Sequence, residues 1–190
     1  MKILILGAGR VGESVAESLV SEQNDITVID TDAQRLALRE DRMDLGGVVG
    51  NGIQPSVLRD AGADDADMLI ACAPLDETNL VACKLAARMF NVPRRIARIR
   101  ANAFLDNKMV LGPHGFDVDL SICPEQVLTD YILKLVEFPE ALQVLDSAGG
   151  RVSLVAVRAY QGGPMVGRPV KEIRAHMPSV DTRMVAIFGR

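Results

Sequence analysis

The chain opens on Lys2-Ile-Leu-Ile-Leu6, a nearly continuous apolar run of the kind a strand shows when both its faces are covered. A glycine turn follows, and residues 13–22 then place apolar side chains at Val15, Ala16, Leu19 and Val20, the spacing of one helical face. Asn24-Asp25 punctuates, and Ile26-Thr-Val-Ile29 predicts a second strand ending at Asp30. The alternation repeats: a polar helix around 32–42, a strand at 47–49, a helix near 55–61, a strand at 68–72, and a helix over 77–90 behind the acidic Asp76-Glu77 pair, whose charge suits the positive end of the helix dipole. Strands at 95–100 and 119–122 complete the series. Strand and helix in strict alternation predict an α/β fold, a Rossmann-like doubly wound parallel sheet with helices on both faces.

The pattern changes after about residue 123. Residues 124–136 read as one long amphipathic helix with Val127, Leu128, Tyr131, Ile132, Leu135 and Val136 on one side, ended by Phe138-Pro139. Beyond it the reading gives strands at 141–146 and 152–159 joined by the turn Ser147-Ala-Gly-Gly-Arg151, a short helix around 170–176, and a closing strand Met184–Phe188. The expected division is therefore a nucleotide-binding domain over 1–123, a connecting helix over 124–139 and a small β-rich α+β module over 140–190. Because the chain stops directly after a strand, it reads as the leading portion of a longer protein, with that module incomplete.

Gly7-x-Gly9-x-x-Gly12 carries the candidate chemistry. Alone it is a weak motif, but here it follows a strand, opens a helix, and precedes a second strand that ends in an acid about twenty residues on. Gly7 permits the tight turn, Gly9 lets backbone approach a pyrophosphate, and Gly12 lets helix and sheet pack closely. Exposed N–H groups at the helix start, from Ala8 to Val11, attract phosphate. Asp30 would accept hydrogen bonds from the hydroxyls of an adenosine ribose and repel a 2′-phosphate, which favours NAD(H) over NADP(H). Sites in such sheets lie at the carboxyl ends of strands, so two further loops join the candidate site. One is Gly50-Asn-Gly52, small enough for an adenine to approach; the other is Ala73-Pro74. Arg98 in the fifth strand would reach phosphate or ribose, or else pair with a neighbouring acid. Arg10 inside the glycine turn would touch phosphate or stay solvated.

Composition narrows the classes further. A net charge of −4 argues against a nucleic-acid binder, and aromatics at 4% leave few stacking platforms. No apolar run reaches the roughly 18 residues a membrane span needs, and Gly7 interrupts the opening run too early for an export signal. Cys72, Cys83 and Cys123 are far apart and set in apolar surroundings, as expected of reduced structural thiols in a cytoplasmic protein.

Met1-Lys-Ile-Leu-Ile-Leu-Gly-Ala-Gly-Arg-Val-Gly12, Asp25-Ile-Thr-Val-Ile-Asp30, Ala61-Gly-Ala-Asp-Asp-Ala-Asp-Met68, Asp76-Glu-Thr-Asn79 and Arg95-Ile-Ala-Arg-Ile-Arg100 together resemble the TrkA family of potassium-uptake regulators, built on RCK (KTN) domains. The likeness continues through Pro124-Glu-Gln126, Gly162-Gly-Pro164 and Ala186-Ile-Phe188. It implies a nucleotide-binding RCK_N domain followed by a smaller RCK_C module, with NAD (NADH or NAD⁺) held at Gly7 to Val11, Asp30, Ala73-Pro74 and Arg98. It also implies a cytoplasmic subunit, peripheral to the membrane, that serves a membrane-embedded potassium transporter. Asn51 departs from the Gly-Asp common in related domains, so nothing is carried over to that position.

Two rival functions differ in what else they need. A small NAD-dependent dehydrogenase needs a proton-transfer group beside the nicotinamide. His114 reads as an exposed turn residue and His176 as a helix-end residue, while Tyr131 and Lys134 lie in the connecting helix, where Tyr131 falls on the apolar face. Some fifty residues of tail also leave little room for a substrate domain, so no enzyme is expected. A sensor needs a route to a partner. The helix over 124–136 supplies one, packing either on the chain's own sheet edge or on its equivalent in a second subunit to form a homo-oligomer. A regulator of the same architecture that binds ATP or ADP stays open, because Asp30 faces the same ribose in either ligand.

Overall fold

The computed structural model describes residues 1–20, 22, 24–138, 141–147, 151–163, 166–167, 169 and 183–188. The chain divides into two compact units, Met1–Val127 and Leu128–Arg190.

The first unit is a six-stranded parallel sheet of β1 (Lys2–Leu6), β2 (Asp25–Asp30), β3 (Gly46–Val49), β4 (Met68–Ala71), β5 (Arg94–Arg98) and β6 (Leu120–Ile122). Their order across the sheet is β3-β2-β1-β4-β5-β6. The chain winds outward from β1 on one side and then returns to wind outward on the other, so the switch point lies between β1 and β4. Ile5 pairs with Val28 on one flank and Ile70 on the other, which leaves β1 at the centre with Ile3 to Leu6 buried. Helices cover both faces, as a parallel sheet requires. On one side α1 (Arg10–Val20) and α2 (Ala33–Glu40) pack Ala16 and Leu36 against Ile3, Ile5, Ile26, Val28 and Ile70. On the other, α3 (Pro55–Asp60) and α4 (Asp76–Met89) pack Leu58, Leu80, Cys83 and Ala86 against Leu4, Leu6, Leu69, Ala71 and Ala97. A 3-10 turn at Ala63–Asp65 leads into β4, and two four-residue helices, α5 (Asn102–Leu105) and α6 (Lys108–Leu111), bridge β5 to β6.

The expected α/β alternation is borne out, and so is the parallel sheet. The α5 and α6 turns were not foreseen. Asn107 caps α6 by accepting from the Met109 and Val110 amides, and helices of four residues are too short to display a periodicity. Asp32 caps α2, accepting from the Gln34 and Arg35 amides.

α7 (Pro124–Glu137) follows β6 with proline at its first position, where the missing N–H costs nothing. In the second unit β7 (Ala141–Ser147) and β8 (Val152–Val157) pair antiparallel, with Leu145 opposite Leu154 and an irregularity between Ala141 and Gln143. The closing strand expected at 184–188 is a correction: residues 183–188 take no strand conformation. Val185, Ile187 and Phe188 are exposed and have no ladder partner among the described residues. The expected helix around 170–176, the turn residues 148–150 and Pro139 lie outside the described residues.

Candidate functional site

The glycine turn joins β1 to α1 at the switch point. Gly7 has φ +105°, and a Cβ there would lie 3.0 Å from the Cys72 carbonyl, so both conformation and neighbour call for glycine. At Gly12 a Cβ would fall 1.9 Å from the Gly7 oxygen, which forces the turn and helix to close on a bare backbone. Gly9 differs. Among the described residues nothing lies within 4 Å of a Cβ placed there, so the space beside Gly9 opens outward at the start of α1, where unpaired N–H groups and the helix dipole gather. A phosphate-bearing group fits that space and that chemistry.

Asp30 closes the turn from the end of β2. Its Oδ2 accepts from the Ala8 N–H at 2.7 Å and its Oδ1 from the Asp32 N–H at 2.9 Å. The half-buried carboxylate is thus aimed by two backbone donors and keeps lone pairs for a ribose hydroxyl. Arg10 is exposed and Val11 half-buried in the first turn of α1.

Ala73 and Pro74 leave β4 beside the turn, and a buried side chain that the sequence did not flag holds them. Asn79, fully buried in α4, accepts from the Ala73 N–H at 2.8 Å and donates through Nδ2 to the carbonyls of Ala73 (3.1 Å) and Arg98 (2.8 Å). One amide therefore fastens the ends of β4 and β5. Asp76 does the same three residues earlier, its Oδ2 accepting from the Arg100 and Ala101 amides at 2.9 and 2.8 Å. The acid expected to serve the helix dipole stands in the first turn of α4, is buried, and also anchors the chain just after β5. The Asp76-Glu-Thr-Asn79 helix start was the available signal, but besides Ala73, six residues off, its partners lie 19 to 25 residues away.

Arg98 sits at the carboxyl end of β5. By strand alternation it shares the face of Ile96, Ile70 and Cys72, the face covered by α1. Burial pushes the Cys72 thiol up to about 11, and the Arg98 charge on the same face of the sheet pulls it back. Of the two alternatives for Arg98, the ion pair is present: Nη2 meets Glu125 Oε1 at 2.5 Å. Its Nε is buried with no hydrogen-bond partner among the described residues. Arg100 donates to the Pro74 carbonyl.

Gly50-Asn-Gly52 is explained by packing. A Cβ on Gly50 would press on Val57 at 2.7 Å, and one on Gly52 on Leu6 at 2.4 Å; the Asn51 side chain caps its own turn by accepting from Ile53. His114 is exposed, as expected. Tyr131, expected to pack on an apolar face, is exposed. All three cysteines are free; burial takes the Cys83 thiol to about 12. Among the described residues no cluster of His, Cys, Asp or Glu suits a metal, and no helix is long and apolar enough to cross a membrane.

The TrkA-N domain family model matches residues 3–118. Trk system potassium uptake protein TrkA of Halomonas elongata is 54% identical over all of this chain and 42% of its own length. Its counterpart in Vibrio alginolyticus is 51% identical over 99% of this chain and 41% of its own. The chain thus spans about two fifths of these relatives. Among solved structures, the TrkA-N domain of the Escherichia coli inner membrane protein ybaL aligns with TM-score 0.63 at 21% identity, covering 71% of this chain and 96% of that one. The C-terminal domain of Shewanella denitrificans Kef in its AMP-bound form gives 0.58 at 19%, covering 73% and 82%. The GsuK channel bound to NAD gives 0.59 at 18%, covering 78% and 26%. These three share the fold.

Proposed function

The chain belongs to the TrkA-N family, and from that premise we propose that it is the nucleotide-binding regulatory part of a potassium-uptake protein, with NAD(H) as its ligand. The observation that carries this reading is the turn itself: Gly9 opens onto empty space at the start of α1, while the Asp30 carboxylate is aimed across the turn by the Ala8 amide. Gly7, Ala8, Gly9, Arg10, Val11 and Gly12 surround the diphosphate, Asp30 takes the adenosine ribose, Ala73 and Pro74 line the second ribose, and Arg98 offers charge from β5. The bound dinucleotide acts here as a signal, and no residue of the chain performs chemistry on it. Support for the ligand class comes from two proteins that share the fold, the GsuK channel, which is bound to NAD, and the Kef C-terminal domain, which is in an AMP-bound form.

The domain reading that goes with it runs 1–123 for the nucleotide domain, 124–139 for the connecting helix and 140–190 for the second module. The protein pairs with a copy of itself through the connecting helix and works at the inner face of the membrane. There it gates a membrane-embedded potassium transporter subunit by changing the angle between paired domains. The nucleotide acts only through its differential affinity for the two arrangements.

A second reading keeps the fold and the regulator but replaces the signal with ATP or ADP; it is favoured by the same ribose-facing Asp30. A thermal-shift panel with NAD⁺, NADH, NADPH, ATP and ADP separates the two. At about a hundred times its dissociation constant a ligand stabilises by about 2.7 kcal/mol. NAD(H) is expected to give that shift in the wild-type chain and not in Asp30→Ala; a larger shift with ATP or ADP selects the second reading, and no shift with any of the five overturns both.

A further inference from the structure

Arg98 meets its acid in an uneven way. Nε and Nη2 are the two limbs of the side-on fork with which a guanidinium grips a carboxylate or phosphate bidentately. Glu125, in the first turn of α7, takes Nη2 alone at 2.5 Å, and Nε is left buried without a partner. A dry, unsatisfied donor is uncommon and costly. The guanidinium is mostly enclosed, at 17% exposure, whereas the Glu125 side chain is 56% exposed. Its other oxygen, Oε2, lies 3.8 Å from the Cys123 thiol, and an ion pair to so exposed a carboxylate is weak and salt-screened. The carboxylate is also the easier of the two to move.

We propose that Glu125 is a resident counter-ion for Arg98 which the phosphate of a bound nucleotide displaces, so that filling the cleft releases the first turn of α7 from the end of β5. The proposal rests on the nucleotide reading above and adds its regulation. Three observations support it. Arg98 lies on the α1 face of the sheet at the carboxyl end of its strand, the end at which the glycine turn also lies. Asn79 ties the Arg98 carbonyl to Ala73, so the base of the arginine is fixed while its tip exchanges partners. Engaging the whole fork requires Nη2, the limb Glu125 occupies, so a phosphate and Glu125 compete for one nitrogen. Its own helix-start amide first, and then the Arg98 hydrogen bond with the Arg98 and Arg100 charges, hold the Glu125 carboxyl below the ordinary range, so it competes as an anion at neutral pH. By reciprocity, whatever the pair adds to the hold on α7 is subtracted from nucleotide affinity.

The test measures dissociation constants of NADH, ADP and adenosine for the wild-type chain, Glu125→Gln, Arg98→Lys and the double variant. Glu125→Gln is expected to bind NADH and ADP about two- to fivefold more tightly, the range set by one exposed ion pair, and to leave adenosine, which has no phosphate, unchanged. Arg98→Lys keeps the charge without the fork; it binds both phosphate ligands more weakly, and in its background Glu125→Gln has no effect. Hydrogen exchange at residues 125–128 rises with NADH in the wild type and is high without ligand in Glu125→Gln. Unchanged or weaker NADH binding in Glu125→Gln, or an equal gain for adenosine, overturns the displacement while leaving the nucleotide reading intact. A wild-type chain that binds neither NADH nor ADP overturns both.

Discussion

Gly9 and Gly12 stand three residues apart and answer to different constraints. The Gly7 oxygen lies where a Gly12 side chain would begin, whereas among the described residues nothing lies near a side chain at Gly9. Gly12→Ala is therefore expected to destabilise the fold by about 1–3 kcal/mol, the usual cost of forcing a methyl into packed backbone, measured by denaturant unfolding. Gly9→Ala should stay within about 0.5 kcal/mol of wild type yet lose NADH affinity in a direct titration. The two glycines look alike in sequence because the motif records only that a side chain is excluded. It does not record whether protein or ligand excludes it. Asp30 was legible for a related reason: its distance from the turn follows from one strand, one helix and a second strand. The partners of Asn79 and Arg98 were not, since those contacts span 19 and 27 residues and depend on strand order.

Between elements, buried polar side chains fix the loops that sheet hydrogen bonding leaves open. Asn79 joins α4, the end of β4 and the end of β5 through three hydrogen bonds. Asn79→Leu keeps the volume and strands an amide and two carbonyls; it is expected to cost about 3 kcal/mol, since each buried orphan forfeits about 1–3 kcal/mol, and to weaken NADH binding by loosening Ala73. Asp117 performs a comparable task before β6. Buried in the left-handed region at φ 56°, it receives Lys84 Nζ at 2.7 Å and Arg88 Nε at 3.0 Å. Burial pushes its carboxyl up, but the hydrogen bonds from Lys84 and Arg88 outweigh that and hold it below 3.8. A depressed folded value means that its contribution is complete above the unfolded value of about 3.9 and fades as pH falls through the folded one. Asp117→Asn should flatten the acid limb of a stability-against-pH curve and change little of its slope between pH 6 and 8. The helices α1 to α4 announced themselves by periodicity. The short α5 and α6 could not, and residues 183–188, apolar in sequence, take no strand conformation and have no ladder partner among the described residues.

At the scale of the molecule, the doubly wound order places everything relevant at one end of one sheet. The glycine turn, Asp30, Ala73-Pro74 and Arg98 all follow the carboxyl ends of β1, β2, β4 and β5, flanking the switch point. That convergence was readable from alternation alone, because right-handed crossovers leave the strand ends few alternative places. The partner of Arg98 was not readable, because it comes from α7, beyond the last strand. The account's central claim is the location of the ligand, and amide chemical-shift mapping during an NADH titration tests it most directly. The account predicts saturable shifts at Ala8, Gly9, Arg10, Asp32 and Ala73, with Leu145 and Leu154 of the β7–β8 hairpin unmoved. Shifts that spare the glycine turn and cluster elsewhere, or an absence of saturable shifts, would contradict it.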